Sequence, residues 1–202
     1  MGSTRDIVRR ASIAGWVIGA AGLVALVSIL LFIWFGQPFG LFNDLGRIVM
    51  TAAIPFLMLA FWELGGLTPT PLALIAQASG WLACAVWWVT RLLFVAGVVT
   101  IDYSKPATGA YAVEAVALVV IGLWIAGANL LAGPWLPRIR WLGVLTGVGL
   151  ALYALGIVLN GADGALVYIG GLAYLDLLPI WGLLMGWFLA RRGAGDPPKS
   201  TA

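Results

Sequence analysis

Residues 165–190 read ALVYIGGLAYLDLLPIWGLLMGWFLA. A helix that crosses a bilayer needs about 20 mainly apolar residues. This run exceeds that length and carries one acid, Asp176. A barrel strand is not a rival reading, because such strands alternate apolar and polar residues over about ten positions. Five further windows have the same character: 12–36, 47–64, 71–101, 110–132 and 139–159. Between them lie turn-rich connectors, QPFGLFNDLG (37–46), GGLTPT (65–70), DYSKPATG (102–109), GPWLPR (133–138) and NGADG (160–164). The expected fold is therefore all-α: a polytopic membrane protein whose six transmembrane helices form one bundle.

Composition agrees. The 202 residues are 62% hydrophobic and 9% charged, whereas a soluble domain is about a quarter charged. Mean hydropathy is +1.04. The 27 glycines suit close approach of membrane helices. The basic residues at the N-terminus precede an apolar run too long for a signal peptide, with no small-residue cleavage motif after it, so residues 12–36 read as a retained helix. Arg5, Arg9, Arg10, Arg138, Arg140, Arg191, Arg192 and Lys199 fall on one side of the six spans, against Arg47, Lys105 and the nearby Arg91 on the other. The positive-inside rule then predicts both ends in the cytoplasm, and the expected location is the cell (bacterial inner) membrane. Residues 1–192 form the membrane domain in this reading, and GAGDPPKSTA (193–202) a disordered cytoplasmic tail.

The third window is long for one span. WWVTR at 87–91 has the look of an interfacial anchor. Residues 92–101 either continue one tilted helix, the favoured reading, or form a short interfacial segment. IPFLMLAFWEL (54–64) and LPIWGLLMGWF (178–188) share a pattern, but they fall in helices that do not correspond in a duplicated transporter.

Polar residues inside the spans are the candidate functional groups. Asp176 falls near the bilayer midplane, where a charge costs at least about 3 kcal/mol. It must be paired, face a water-filled cavity, or be protonated. Pro179 lacks the N–H that would serve the carbonyl of Leu175. Together these residues read as a proton or cation site with a hinge, or else as a protonated acid that fixes packing. Tyr174 and Asn129 complete the set of candidate binding residues. Glu114 is expected to form an ion pair with Arg91, with Arg47 at the end of the second span as the competing partner. Glu63 should reach headgroup water. Gln77 and Asn129 should bond to neighbouring helices. Many of the eleven tryptophans fit an interfacial belt. Trp81, Trp124 and Trp181 should lie deeper, in the core or lining an apolar cavity. Cys84 reads as a small buried hydrophobe.

Catalysis finds no support. The chain has no histidine, which removes the usual general base and histidine-held metals. GADG (161–164) differs in glycine order from the GxGD of intramembrane aspartyl proteases. No phosphate-binding or GxSxG motif occurs. No cofactor or metal is expected, and no basic block dense enough for nucleic acid.

NLLAGPWLPRIRWLGVLTGVGLALYALGIVL (129–159) and YLDLLPIWGLLMGWFLARR (174–192) resemble the DUF4386-like six-helix bacterial membrane proteins. Those show an LPRWLG-type lead-in to the fifth helix and a proline–aliphatic–tryptophan pattern in the last. Here Ile139 and Arg140 intervene before Trp141. The resemblance implies six spans and no particular chemistry. Two functions follow as expectations. One is a non-catalytic membrane subunit or accessory protein, packed in the lipid bilayer against a protein partner or a second copy. The other is a small transporter or ligand-binding protein that uses Asp176.

Overall fold

The computed structural model describes residues 4–64, 70–100, 102, 105–132, 136, 139–161 and 164–194. Six spans are long and apolar enough to cross a membrane. They are α1 (Thr4–Phe35), α2 (Phe39–Leu64), α3 (Pro71–Val95), α4 (Gly109–Leu131), α5 (Ile139–Asn160) and a composite sixth span. The sixth comprises α6 (Ala165–Leu172), a π-helical segment (Ala173–Leu177) and α7 (Leu178–Ala194). No strand occurs among the described residues. The chain is a multi-pass membrane protein of the all-α class. The α1–α2, α3–α4 and α5–α6 connections share one face, here the distal face. The N-terminal end of α1 and the C-terminal end of α7 share the other, the terminal face.

Four helix boundaries differ by more than one residue from those read in the sequence, and the first is the start of α1, at Thr4 and not at residue 12. The second helix starts at Phe39, well before residue 47. The turn is confined to Gly36, at φ +71, and the two residues after it. Leu41 and Phe42 already bond back to the carbonyl of Pro38. Proline opens a helix readily, and the apolar residues between Phe39 and Leu45 can face lipid. Arg47 is therefore more than two turns inside α2 and not at its end.

The third helix stops at Val95 and does not run to 101. Gly97 sits at φ +72. Its N–H bonds to the carbonyl of Phe94, and that of Val98 to Leu93, both at 2.9 Å. This pair of bonds is the Schellman stop, which favours glycine at the left-handed position. The opposite end follows its sequence signal: Pro71 opens the helix and Thr70 accepts from the N–H of Ala73 at 3.2 Å. The last helix continues to Ala194, two residues into the expected tail. Residues 195–202 lie outside the described residues, as does Asp163 of the GADG stretch.

The bundle has two halves. In one, α1 packs against α2 and α7; in the other, α5 packs against α4 and α6. Small residues set both contacts. A Cβ on Gly15 would come within 2.5 Å of the backbone nitrogen of Gly186. One on Gly147 would come within 2.4 Å of the Gly122 carbonyl oxygen. Backbones this close exclude any side chain, the usual device for joining helices in lipid. The sixth span belongs to both halves: α6 lies on α5, and α7 lies mainly on α1. It changes neighbours at the π segment. That segment ends two residues before Pro179, whose ring crowds the preceding turn. Widening the turn relieves the clash and shifts the facing of the helix. Pro179 itself is buried against Gly22 of α1.

Trp181 is fully buried and stacks on Phe61 at 6.3 Å, while Trp124 meets Phe61 edge-on at 6.4 Å. Trp81 departs from expectation: it is 43% exposed, on the lipid side of α3. The first half of α3 packs so little that only 22% of its most apolar window is buried, against 50% for α4 and α5. Cys84 is buried and Glu63 is exposed in the last turn of α2.

Candidate functional site

Ion pairs are costly to hold between apolar helices, so charges there gather into networks. One such network joins the two halves of the bundle in its distal part. Arg91 of α3 is 1% exposed. Its Nη2 donates to Oε1 of Glu114 on α4, and its Nη1 donates to Oδ1 of Asp44 on α2 at 3.3 Å. The guanidinium also lies over Phe94 at 5.3 Å and Trp87 at 5.6 Å, so its faces are covered by aromatic rings. Asp44 was read as part of a connector, and its place beside Arg91 follows from the early start of α2.

Arg47 did not become the partner of Glu114. It is 8% exposed, and its Nε donates to the hydroxyl of Tyr174 at 3.1 Å. Tyr174 stands in the π segment, where the widened turn presents it to α2. Its ring lies 5.6 Å from that of Tyr153 on α5 and 5.3 Å from the Arg47 guanidinium carbon. Among the described residues, the bond to Tyr174 is the one hydrogen bond of the Arg47 side chain, and no carboxylate stands within 4.0 Å of it. Its two terminal nitrogens are left with their donors uncommitted.

Arg47 also lines a cleft of ≈ 470 Å³ between α1, α2 and the distal ends of α3 and α5. Its polar lining is Gln37, Asn43, Asp44, Arg47 and Tyr153; Ile29, Phe32, Leu41 and Phe94 supply apolar wall. A volume of this order suits a small ligand. Asn43 is fixed by a 3.0 Å bond to the carbonyl of Ala25, which ties α2 to α1 at the cleft margin. Behind Arg47 a second space, lined by Arg91, Tyr111, Glu114 and Tyr153, measures only ≈ 10 Å³. That is room for about one water, so any larger ligand sits on the cleft side.

The other residues singled out in the sequence lie elsewhere. Asp176 is partly buried, has no hydrogen bond or ion pair among the described residues, and does not line this cleft. Asn129 is fully buried near the terminal face. It donates to its own helix at Ile125 and accepts from the indole N–H of Trp181 at 3.3 Å, joining α4 to α7. Gln77 makes no interhelical bond through its buried amide nitrogen, unlike the expectation for it. Of the four candidate binding residues, Tyr174 alone reaches Arg47 by a hydrogen bond. Sequence reading missed Arg47 and Asp44 as a pair. The signal was present as D-x-x-R at 44–47, which places both groups on one face once the segment is helical.

Comparison with known proteins finds no family model, no curated protein and no solved structure that matches the chain.

Proposed function

We propose that this protein is a non-catalytic membrane protein that binds a small polar ligand in the distal cleft, anchored by Arg47. One observation carries the reading. A guanidinium more than nine-tenths buried has, among the described residues, no protein acceptor on its terminal donors, and its side chain lines a ligand-sized cleft. Donors that border such a cleft can take an acceptor from a ligand, and charge-assisted bonds of this kind are among the stronger ones. This keeps the ligand-binding expectation and moves its site from Asp176 to Arg47. Asp176, on the segment where the sixth span changes neighbours, is then a packing or hinge residue.

The test is native mass spectrometry of the protein released from its own membrane in mild detergent. The wild type and Asp176→Asn are expected to carry the same small molecule, and Arg47→Gln is expected to lose it. Retention of the molecule by Arg47→Gln, or an empty wild type, would sink the reading.

We propose a bacterial inner membrane with both chain ends inside; the Lys/Arg asymmetry supports that orientation. A cysteine placed at the exposed Lys105 should then react with an impermeant maleimide on intact cells. One placed at Arg192 should react only after lysis. The reverse pattern would invert the topology. Cys84, at 1% exposure, should not interfere.

A second reading, the membrane subunit, draws support from α3. Leu72, Ile75 and Leu82 are 76%, 62% and 66% exposed, which leaves a continuous apolar face. A stoichiometric protein cross-linked through α3 in the native membrane would favour it.

A further inference from the structure

Asp44 and Arg47 are three residues apart on α2, a spacing at which opposite charges on a helix ordinarily meet. Here they do not. Arg47 is drawn to Tyr174 on the π segment, and Asp44 gives one oxygen, Oδ1, to Arg91. No Asp44–Arg47 ion pair within 4.0 Å exists among the described residues. Both residues line the same cleft, each with hydrogen-bonding capacity left over: donors on Arg47, and the second oxygen of Asp44 as acceptor. The cleft therefore offers a positive and a negative group side by side, held apart by their other partners.

Charge balance limits what fits between them. The guanidiniums of Arg47 and Arg91 already balance the carboxylates of Asp44 and Glu114. A net anion would leave the buried cluster with one charge uncompensated, which a low-dielectric site penalises. A ligand with both signs keeps the balance and engages both groups. The planar fork of Arg47 suits two oxygens of a phosphate. The Asp44 oxygen needs a hydrogen-bond donor, and charge balance asks that the donor be cationic; a primary ammonium is both, whereas a quaternary one has no N–H. Beside them, Ile29, Phe32 and Leu41 give apolar wall.

We infer that the distal cleft recognises a phosphoethanolamine head group, with its phosphate on Arg47 and its ammonium on Asp44. This rests on the reading of the cleft as a ligand site. The head reaches it from a membrane phospholipid or from a water-soluble phosphodiester, and the test separates the two.

Delipidated protein in a non-ionic detergent would be titrated with short-chain phosphatidylethanolamine, phosphatidylcholine, phosphatidylglycerol and soluble glycerophosphoethanolamine. Binding would be read by native mass spectrometry and by the shift in Tm. Phosphatidylethanolamine should bind at least about tenfold more tightly than phosphatidylcholine or phosphatidylglycerol, a difference of about 1.4 kcal/mol. Equal affinity for glycerophosphoethanolamine supports the same head with a soluble source; a large advantage for the lipid supports the bilayer source. Asp44→Asn keeps an oxygen for Arg91 and should erase the preference over phosphatidylglycerol. Arg47→Gln should abolish binding of every head group. If phosphatidylglycerol binds as well as phosphatidylethanolamine in the wild type, the zwitterion assignment fails while the Arg47 site stands. If Arg47→Gln binds all four as the wild type does, both fail. The wild-type ranking decides without any variant, so a poorly folded Asp44→Asn leaves the proposal open to refutation.

Discussion

Arg91→Gln is expected to be among the most damaging single changes in the bundle, at about 3–5 kcal/mol. Arg91 serves two carboxylates, Glu114 and Asp44, and is itself 1% exposed. Removing it leaves the Glu114 carboxylate, 2% exposed, without its ion-pair partner between apolar helices. The missing guanidinium also vacates the space between Trp87 and Phe94. Adding Glu114→Gln should recover a large part of the loss, because an amide pair buries no charge. Glu114→Gln alone should cost more than its increment in the double variant. The measurement is a double-mutant cycle on unfolding in mixed micelles. Additive effects would count against a direct contact.

Gly147→Ala is the second change with a large expected effect, about 3 kcal/mol. The added Cβ meets the carbonyl oxygen of Gly122 at 2.4 Å and the backbone nitrogen of Ala126 at 2.5 Å. Neither is a side-chain end that swings away, so α4 and α5 must separate. The same change at Gly127, in α4, has open space around the new methyl. There alanine should be neutral, or stabilising by up to about 1 kcal/mol through helix propensity. Equal effects at the two positions would mean that the α4–α5 contact is not the one described.

The contrast between these two residues shows what a sequence carries. Six apolar runs give six spans, since the bilayer fixes the length and polarity of anything that crosses it. The Arg91–Glu114 contact was legible too, because a short connection makes neighbours of α3 and α4 and both charges lie near one end. Tyr174 is a candidate binding residue in the sequence, but without a partner. Its bond to Arg47 depends on the facing of the π segment, which no periodicity announces. Asp44 and Arg47 were hidden by their surroundings: QPFGLFNDLG has the composition of a loop, and Gly36 to Pro38 already completes the turn. The end of α3 turned on whether Gly97 would be helical or left-handed, a choice a single apolar string leaves open. Trp81 shows the limit of hydropathy. In a bilayer an apolar side chain gains as much from lipid as from the core, so composition says that a residue is in the membrane and not which way it faces.

The partition of the sixth span has a consequence for the order of events during synthesis. The face of α1 that carries Gly15, Gly19 and Gly22 is covered by α7, through Gly186, Leu183 and Pro179. Ser12 and the Gly186 carbonyl, bonded across this contact, are 174 positions apart in the chain. At 5–20 residues per second, about 10–35 s separate the emergence of the two surfaces from the ribosome. For that interval the glycine seam of α1 lacks the α7 surface that covers it in the finished fold. The contact among α4, α5 and α6 can form as soon as α6 is inserted. One half of the molecule is thus complete before the other can close, and α7 is the helix that closes it.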